Sequence, residues 1–161
     1  MRKNFLATGI LLGAASLLTP RAAYPQTNAP APQAFNPSFG DLMNMLVQPR
    51  HAKLGIAGQQ QNWPLAAYSI HELKDALSHI ARLKPRFRNN PVADMMANAT
   101  GEPIKALEQA TQAADLNRFK EAYARLTEGC NSCHAALNHS FVVIKAPDQS
   151  VFPNQDFRPV K

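Results

Sequence analysis

The feature that most constrains the fold is an apolar helical stripe near the C-terminal end of the chain, which contains both cysteines. The stripe comprises Leu116, Phe119, Tyr123, Leu126, Cys130, Cys133 and Leu137, at alternating steps of three and four residues. This alternation places all of its members on one face of an α-helix. Such a face must be covered by other apolar helix faces, so the stripe predicts helix-on-helix packing.

Three earlier segments carry apolar residues at similar spacing. The clearest runs through Trp63, Ala66, Ile70, Leu73, Leu77 and Ile80, again at steps of three and four residues. Together with segments that begin near Ser38 and Asn90, these stripes predict four helices joined by short connections. We therefore expect an all-α fold, an antiparallel four-helix bundle over residues 38–139.

Polar capping residues predict where the helices begin. Ser38 and Asp41 have the pattern of a capping box at the start of the first helix. Asn62 and Asn90 each precede a segment with a proline in its first turn, which is typical of a helix N-terminus. The last helix is expected over about 117–137.

Prolines and glycine predict irregularities within the helices, because proline lacks a backbone N–H and its ring clashes with the preceding turn. Pro49 is expected to kink or end the first helix, and Pro85 to end the second. Gly101 and Pro103 are expected to interrupt or kink the third helix.

The regions that flank the bundle are interpreted from composition. Residues 1–23 have the pattern of a secretory signal peptide, with Arg2 and Lys3 followed by an uncharged apolar run of about fourteen residues. This run is shorter than the ~20 residues that cross a bilayer, so we expect cleavage and export to the periplasm, without a stable membrane span. Residues 24–37 are expected to form an extended linker and residues 140–161 a C-terminal tail.

The charge balance gives little support to nucleic-acid binding. Removal of residues 1–23 would leave 14 basic and 11 acidic residues, a net charge of only +3. The main local concentration of positive charge is the segment 82–88, with Arg82, Lys84, Arg86 and Arg88. Such charges are favourable at a helix C-terminus, and they are also suited to docking an acidic partner.

The motif that carries chemistry is Cys130-Asn131-Ser132-Cys133-His134, a C-x-x-C-H sequence. This is the attachment pattern for c-type haem. Two thiols three residues apart on a helix project to the same side, where they can form thioethers with the two vinyl groups of one porphyrin. The imidazole of the next residue can then bind the iron. The sequence therefore predicts covalently attached haem c.

Other interpretations of the two cysteines have less support. A disulfide between Cys130 and Cys133 would close a very short loop and add little stability. A thioredoxin-like redox motif expects a βαβ surrounding, which the helical pattern does not provide. Zinc bound by these cysteines with His134 and His139 stays an alternative, although no second pair of ligands is spaced to support it.

A C-x-x-C-H motif near the end of the last helix of a small exported all-α chain resembles the class II c-type cytochromes, the cytochrome c-prime and c-556 group. The resemblance covers roughly residues 38–139 and implies haem inside one end of the bundle. It implies thioether bonds at Cys130 and Cys133 and His134 as the proximal iron ligand. The tail departs from the family. We expect it to pack over the haem edge through its larger apolar side chains, Phe141, Phe152 and Phe157, with a loose tail as the alternative.

The second axial position of the iron would separate two kinds of haem protein. The resemblance implies that a methionine of the first helix fills this position in c-556 proteins and that it is open in c-prime proteins. Met45 is the first candidate, followed by Met43, while His51 would give a centre of lower potential. Arg50 could instead pair with a haem propionate, because a guanidinium matches a carboxylate at two points.

The function expected is that of an exported monohaem c-type cytochrome that transfers single electrons to and from a periplasmic redox partner. One alternative is a five-coordinate haem protein that binds or senses a diatomic gas, with Leu42, Leu46 or Val47 beside the open position. Another is a non-haem metal-binding module. Glu72 and Asp75 lack a catalytic constellation, so no enzymatic activity is expected. The resemblance also makes a homodimer plausible.

Overall fold

The computed structural model describes residues 35–160, which fold into four α-helices. Helix α1, residues 39–59, consists of three consecutive segments: α-helical Phe39–Leu42, π-helical Met43–Val47 and α-helical Gln48–Gln59. The other helices are α2 (Trp63–Leu83), α3 (Val92–Gln112) and α4 (Leu116–Ala136). Residues 35–160 contain no strand beyond an isolated bridge, and successive helices pack against each other, with α1 also contacting α4. The predicted all-α four-helix bundle is confirmed.

Three helices begin at side-chain caps. The Ser38 hydroxyl accepts a hydrogen bond from the Asp41 backbone N–H at 3.1 Å, and the Asp41 carboxylate accepts one from the Ser38 N–H at 2.9 Å. Asn62 caps α2, and Asp115 caps α4. The predicted cap at Asn90 was wrong: Asn90 forms two backbone hydrogen bonds with Phe87 in the preceding turn, and α3 begins without a side-chain cap.

Pro49 does not end α1. It lies in the first turn of the segment Gln48–Gln59, immediately after the π-helical segment. The backbone N–H of Gln48 bonds to the carbonyl of Met43, five residues back, which is the π-helical pattern. The local irregularity therefore lies one turn before the proline, and the helix continues through it.

Helix α3 is also continuous through Gly101 and Pro103, so the predicted interruption was wrong. Pro103 has no N–H to donate to the carbonyl of Ala99, four residues earlier. That carbonyl oxygen faces Gly129 of α4, where a side-chain carbon would overlap it. The absence of a side chain at Gly129 lets the two backbones approach at this point.

The hydrophobic interior has two clusters along the bundle. The first includes Leu54, Leu73, Leu107, Phe119 and Leu126, and the second consists of Leu42, Ile80, Val92, Met96 and Leu137. Val47 and Leu77 are partly buried and pack against both clusters. The two clusters therefore meet at these side chains.

The C-terminal tail returns along the bundle. Phe157 is only 5% exposed and belongs to the first cluster, and Phe152 packs against that cluster. The Asn62 side-chain amide donates to the carbonyls of Phe157 and Arg158, at 3.2 and 2.9 Å. Phe141 is 78% exposed, so packing of the tail is confirmed at two of the three predicted anchors and wrong at Phe141.

The predicted signal peptide over residues 1–23 and most of the predicted linker lie outside the described residues. Within residues 35–160, no helix combines the length and the apolar character needed to cross a membrane.

Candidate functional site

The C-x-x-C-H motif occupies the last turns of α4, and its three chemically active residues border one cavity. Cys130, Cys133 and His134 all line this cavity, whose empty space, including its open mouth, is about 730 Å³. The structure therefore places both thiols and the adjacent imidazole on the wall of one partly open cavity.

One wall of the cavity comes from α1 and contains both apolar and polar side chains. Phe39, Met43, Val47 and His51 line it at intervals of four residues along the helix, and the polar Asn44 and Gln48 line it beside them. Helix positions four residues apart share a face, so a single face of α1 looks into the cavity. Helices α2 and α3 and the tail contribute the remaining walls.

Both cysteines are free thiols that lie partly buried. Burial, together with the nearby Cys133, raises the pKa of Cys130 to about 11. Burial also raises the pKa of Cys133. Because both pKa values are raised, the two thiols are protonated at pH 7. Redox-active C-x-x-C pairs instead depend on a lowered pKa and a reactive thiolate. The electrostatics of the site do not favour a thioredoxin-like function.

His134 is held in a tautomer suited to metal coordination. Its Nδ1 lies 2.8 Å from the backbone carbonyl oxygen of Val142 in the tail. A carbonyl can only accept a hydrogen bond, so the proton lies on Nδ1 and the lone pair on Nε2 is available to a metal. Metal-binding histidines usually make such a bond, which also fixes the orientation of the ring.

His51 lines the same cavity, but hydrogen bonds occupy both of its ring nitrogens. Nδ1 lies 2.9 Å from the Tyr123 hydroxyl, and Nε2 lies 3.0 Å from the Thr127 hydroxyl. Burial lowers the pKa of His51 to about 4, so its ring is neutral at neutral pH. Coordination of iron by His51 would require breaking one of these bonds, which makes it a weaker candidate than Met43.

Met45 and Arg50, two of the candidate residues from sequence, do not line this cavity. They border a separate surface depression with Lys53 and Glu72, and Met45 is 56% exposed. Arg50 donates to the Leu46 carbonyl at 3.0 Å and lies 3.4 Å from the Glu72 carboxylate. The geometry thus supports neither Met45 as an iron ligand nor Arg50 as a propionate partner, because α1 turns both away from the motif.

The zinc alternative also lacks a suitable geometry. Within residues 35–160, no group of three or more His, Cys, Asp or Glu side chains is arranged to hold a metal ion. His139 instead packs between the rings of Phe87 and Phe141, with its Nδ1 hydrogen-bonded to the Leu137 carbonyl at 2.8 Å.

The sequence predicted packing of the tail beside the proposed haem, but not which tail residues reach the cavity. Val142 and Ile144 line the cavity, and the Val142 carbonyl fixes His134. The local signal was the short β-branched run at 142–144, which by itself does not indicate where the segment docks. The sequence did not indicate Tyr123 and Thr127 as hydrogen-bond partners of His51, because these contacts depend on how α1 and α4 are rotated against each other.

Comparisons of the chain with protein-family models, with curated proteins and with solved structures returned no match. The function is therefore argued from the site alone.

Proposed function

We propose that this chain carries one covalently attached haem c and transfers single electrons in the periplasm after export. Cys130 and Cys133 would hold the porphyrin, and His134 would bind the iron. The observation that supports this most is that both thiols and an imidazole with a free Nε2 line the same apolar cavity. The residues present fit the group that the motif implies.

Each part of the site has a distinct task in this proposal. The haem supplies an iron that gains or loses one electron. The two cysteines fix its position, and the Val142 carbonyl orients His134. Apolar side chains such as Phe39 and Val47 exclude water and keep the local dielectric low. In this proposal no bond in a substrate is made or broken.

Gas binding by a five-coordinate haem is the second candidate. The observation in its favour is that α1 presents the apolar Phe39 and Val47 to the cavity beside Met43; the other methionine that lines it, Met96, comes from α3 and is buried in the second apolar cluster. Of the residues expected beside an open position, Val47 lines the cavity, whereas Leu42 and Leu46 pack in the second apolar cluster. A visible spectrum with and without carbon monoxide separates the two functions, because only an open iron position binds the gas readily.

The direct test is expression of the full chain together with a cytochrome c maturation system. We expect a red product whose mass exceeds that of the processed polypeptide by one haem and which keeps its colour after acid–acetone extraction. The matched control replaces Cys130 and Cys133 by serine and should lose the covalent mass. A colourless wild-type chain of bare polypeptide mass, under conditions in which a control cytochrome matures, would refute the proposal.

The redox partner is expected to present an acidic surface. Phe87, in the basic segment 82–88, lines a second cavity that also contains His134, so this segment borders the proposed haem site. None of the four basic side chains in the segment forms an ion pair with a carboxylate of residues 35–160. Unpaired charges of one sign steer an oppositely charged protein.

This partner chemistry predicts a dependence on salt. With an acidic redox protein as reaction partner, the second-order rate of electron transfer should fall as ionic strength rises. Arg86→Glu with Arg88→Glu should lower the rate at low salt and flatten that dependence. The control Lys120→Glu changes an exposed lysine near the other end of α4. If Lys120→Glu lowered the rate as much as the double variant, docking at the basic segment would be contradicted.

A further inference from the structure

One residue of the motif, Asn131, forms side-chain hydrogen bonds with the backbone of the tail. The Asn131 Oδ1 accepts a hydrogen bond from the Ile144 backbone N–H at 2.7 Å, and its Nδ2 donates to the Ile144 carbonyl at 2.9 Å. One amide side chain therefore satisfies both backbone groups of one tail residue. Such a two-point contact fixes the position of Ile144 along α4 as well as its distance from the helix.

The position of Ile144 determines which tail side chains face the site. Val142 and Ile144 line the cavity, whereas Phe141 and Val143 are 78% and 72% exposed. Side chains of an extended segment alternate between two sides. A shift by one residue would turn Phe141 and Val143 inward and would move the Val142 carbonyl away from His134.

The tail is also held far from the motif. The Gln59 side chain donates to the Pro147 carbonyl at 3.0 Å, and Pro147 lies against Gly55, where a side-chain carbon would crowd it. Beyond it, Phe157 is buried in the first apolar cluster. Residues 140–146 are thus fixed at Asn131 on one side and at α1 on the other. Beside the motif, Val142 also donates its N–H to the His139 carbonyl at 2.9 Å, so the Asn131 contact sets the register of the tail together with that bond.

We propose that Asn131 is a positioning residue for the iron ligand His134, which acts by holding the tail in the register that places the Val142 carbonyl on Nδ1. This inference rests on the proposed function. A hydrogen bond from Nδ1 increases the basicity of a coordinating imidazole. A more basic ligand favours the oxidised iron, so the contact at Asn131 lowers the reduction potential.

The test compares Asn131→Ala with Ser132→Ala in the mature haem-containing protein. Ser132 is the other variable residue of the motif and is exposed, so its replacement leaves the tail contacts intact. In Asn131→Ala we expect hydrogen exchange at the Ile144 amide to become about tenfold faster, as for the loss of one hydrogen bond. We also expect an upward shift of the reduction potential. Asn131→Asp keeps the acceptor for the Ile144 N–H, so exchange at that amide should be slower than in Asn131→Ala.

The outcomes separate this inference from the function on which it rests. Faster exchange with a raised potential in Asn131→Ala, and neither in Ser132→Ala, would support it. Faster exchange with an unchanged potential would overturn it, because the tail would then be held without influence on His134. An unchanged exchange rate at the Ile144 amide would also overturn the inference, because Asn131 would then not hold the tail. A wild-type chain without haem would instead refute the proposed function, and the Ile144 exchange rates of the haem-free variants would still report on the Asn131 contact.

Discussion

At the scale of single residues, the neutral ring of His51 permits only two hydrogen-bond arrangements. It carries one N–H, which points either to the Tyr123 hydroxyl or to the Thr127 hydroxyl. In either case, the hydroxyl that receives this N–H can donate onward to a backbone carbonyl, of His51 or of Tyr123 respectively. A protonated ring would have to be placed in a buried site without a carboxylate among these partners, which explains the low pKa.

This low pKa predicts a loss of stability in mild acid. The pKa of His51 is about 4 in the folded chain, below the ~6.5 of an unfolded histidine, so the unfolded state binds the proton first. The stabilising contribution is therefore complete above pH ~6.5 and is lost as the pH falls towards 4, at up to about 1.4 kcal/mol per pH unit.

Chemical denaturation between pH 7.5 and 4.5 measures this slope. His51→Gln should flatten the pH dependence of the unfolding free energy, whereas His79→Gln, at an exposed position of α2, should leave it unchanged. Parallel curves for the wild type and His51→Gln would mean that another group controls the acid sensitivity.

A second prediction at the residue scale concerns the two methionines of the π-helical segment. Met43 lines the cavity and Met45 is exposed on another side of α1. If a methionine sulfur completes the iron coordination, Met43→Ala should convert a spectrum insensitive to carbon monoxide into a sensitive one, and Met45→Ala should have no effect. Sensitivity in the wild-type protein would instead favour the gas-binding function.

At the scale of the helices, the apolar stripes and the caps at Ser38 and Asn62 were sufficient to predict four helices and their approximate ends. The helix end considered at Pro49, the interruption at Pro103 and the cap at Asn90 were wrong, because a proline does not end a helix in its first turn and can be accommodated next to a close neighbour. The carbonyl freed by Pro103 lies against Gly129 of the neighbouring helix. A pattern read along one helix contains no information about that neighbour.

Replacement of glycine by alanine should have opposite effects on stability at Gly129, where α3 and α4 are in close contact, and at Gly101. Gly129→Ala would place a side-chain carbon against the rigid Ala99 carbonyl, so we expect a destabilisation of about 1–3 kcal/mol. Gly101→Ala meets nothing within 4 Å and should stabilise the protein by about 0.5–1 kcal/mol through helix propensity. Urea denaturation measures both values. A neutral Gly129→Ala variant would show that the two helices can separate at little cost.

At the scale of the whole molecule, the tail connects the motif to the far end of the bundle. We expect Phe157→Ala to destabilise the protein by about 3–5 kcal/mol, because this ring is only 5% exposed in the first cluster. Phe141→Ala removes the same ring at a position that is 78% exposed and should change stability by less than about 0.5 kcal/mol. Thermal denaturation compares the pair. Small and equal losses of stability in the two variants would mean that the tail does not unfold together with the bundle.

The candidate site shows the same division between what sequence can and cannot predict. Cys130, Cys133 and His134 follow from a spacing rule within one helix, and the structure brings them to one cavity. The wall that α1 contributes depends on the rotation of this helix about its axis. The π-helical segment changes that rotation, and the periodicity of the sequence does not define it. That rotation turns Met43 towards the motif and Met45 away from it.

The location of the cavity has a consequence for the folding of the chain. Val47 and Leu77 connect the two apolar clusters and also line the cavity, so the cavity borders the place where both halves of the interior meet. Under the proposed function, the cofactor completes this junction, and its binding energy adds to folding stability. Quality-control proteases of the cell envelope would then degrade immature copies faster than finished ones, which would couple the abundance of the protein to haem supply.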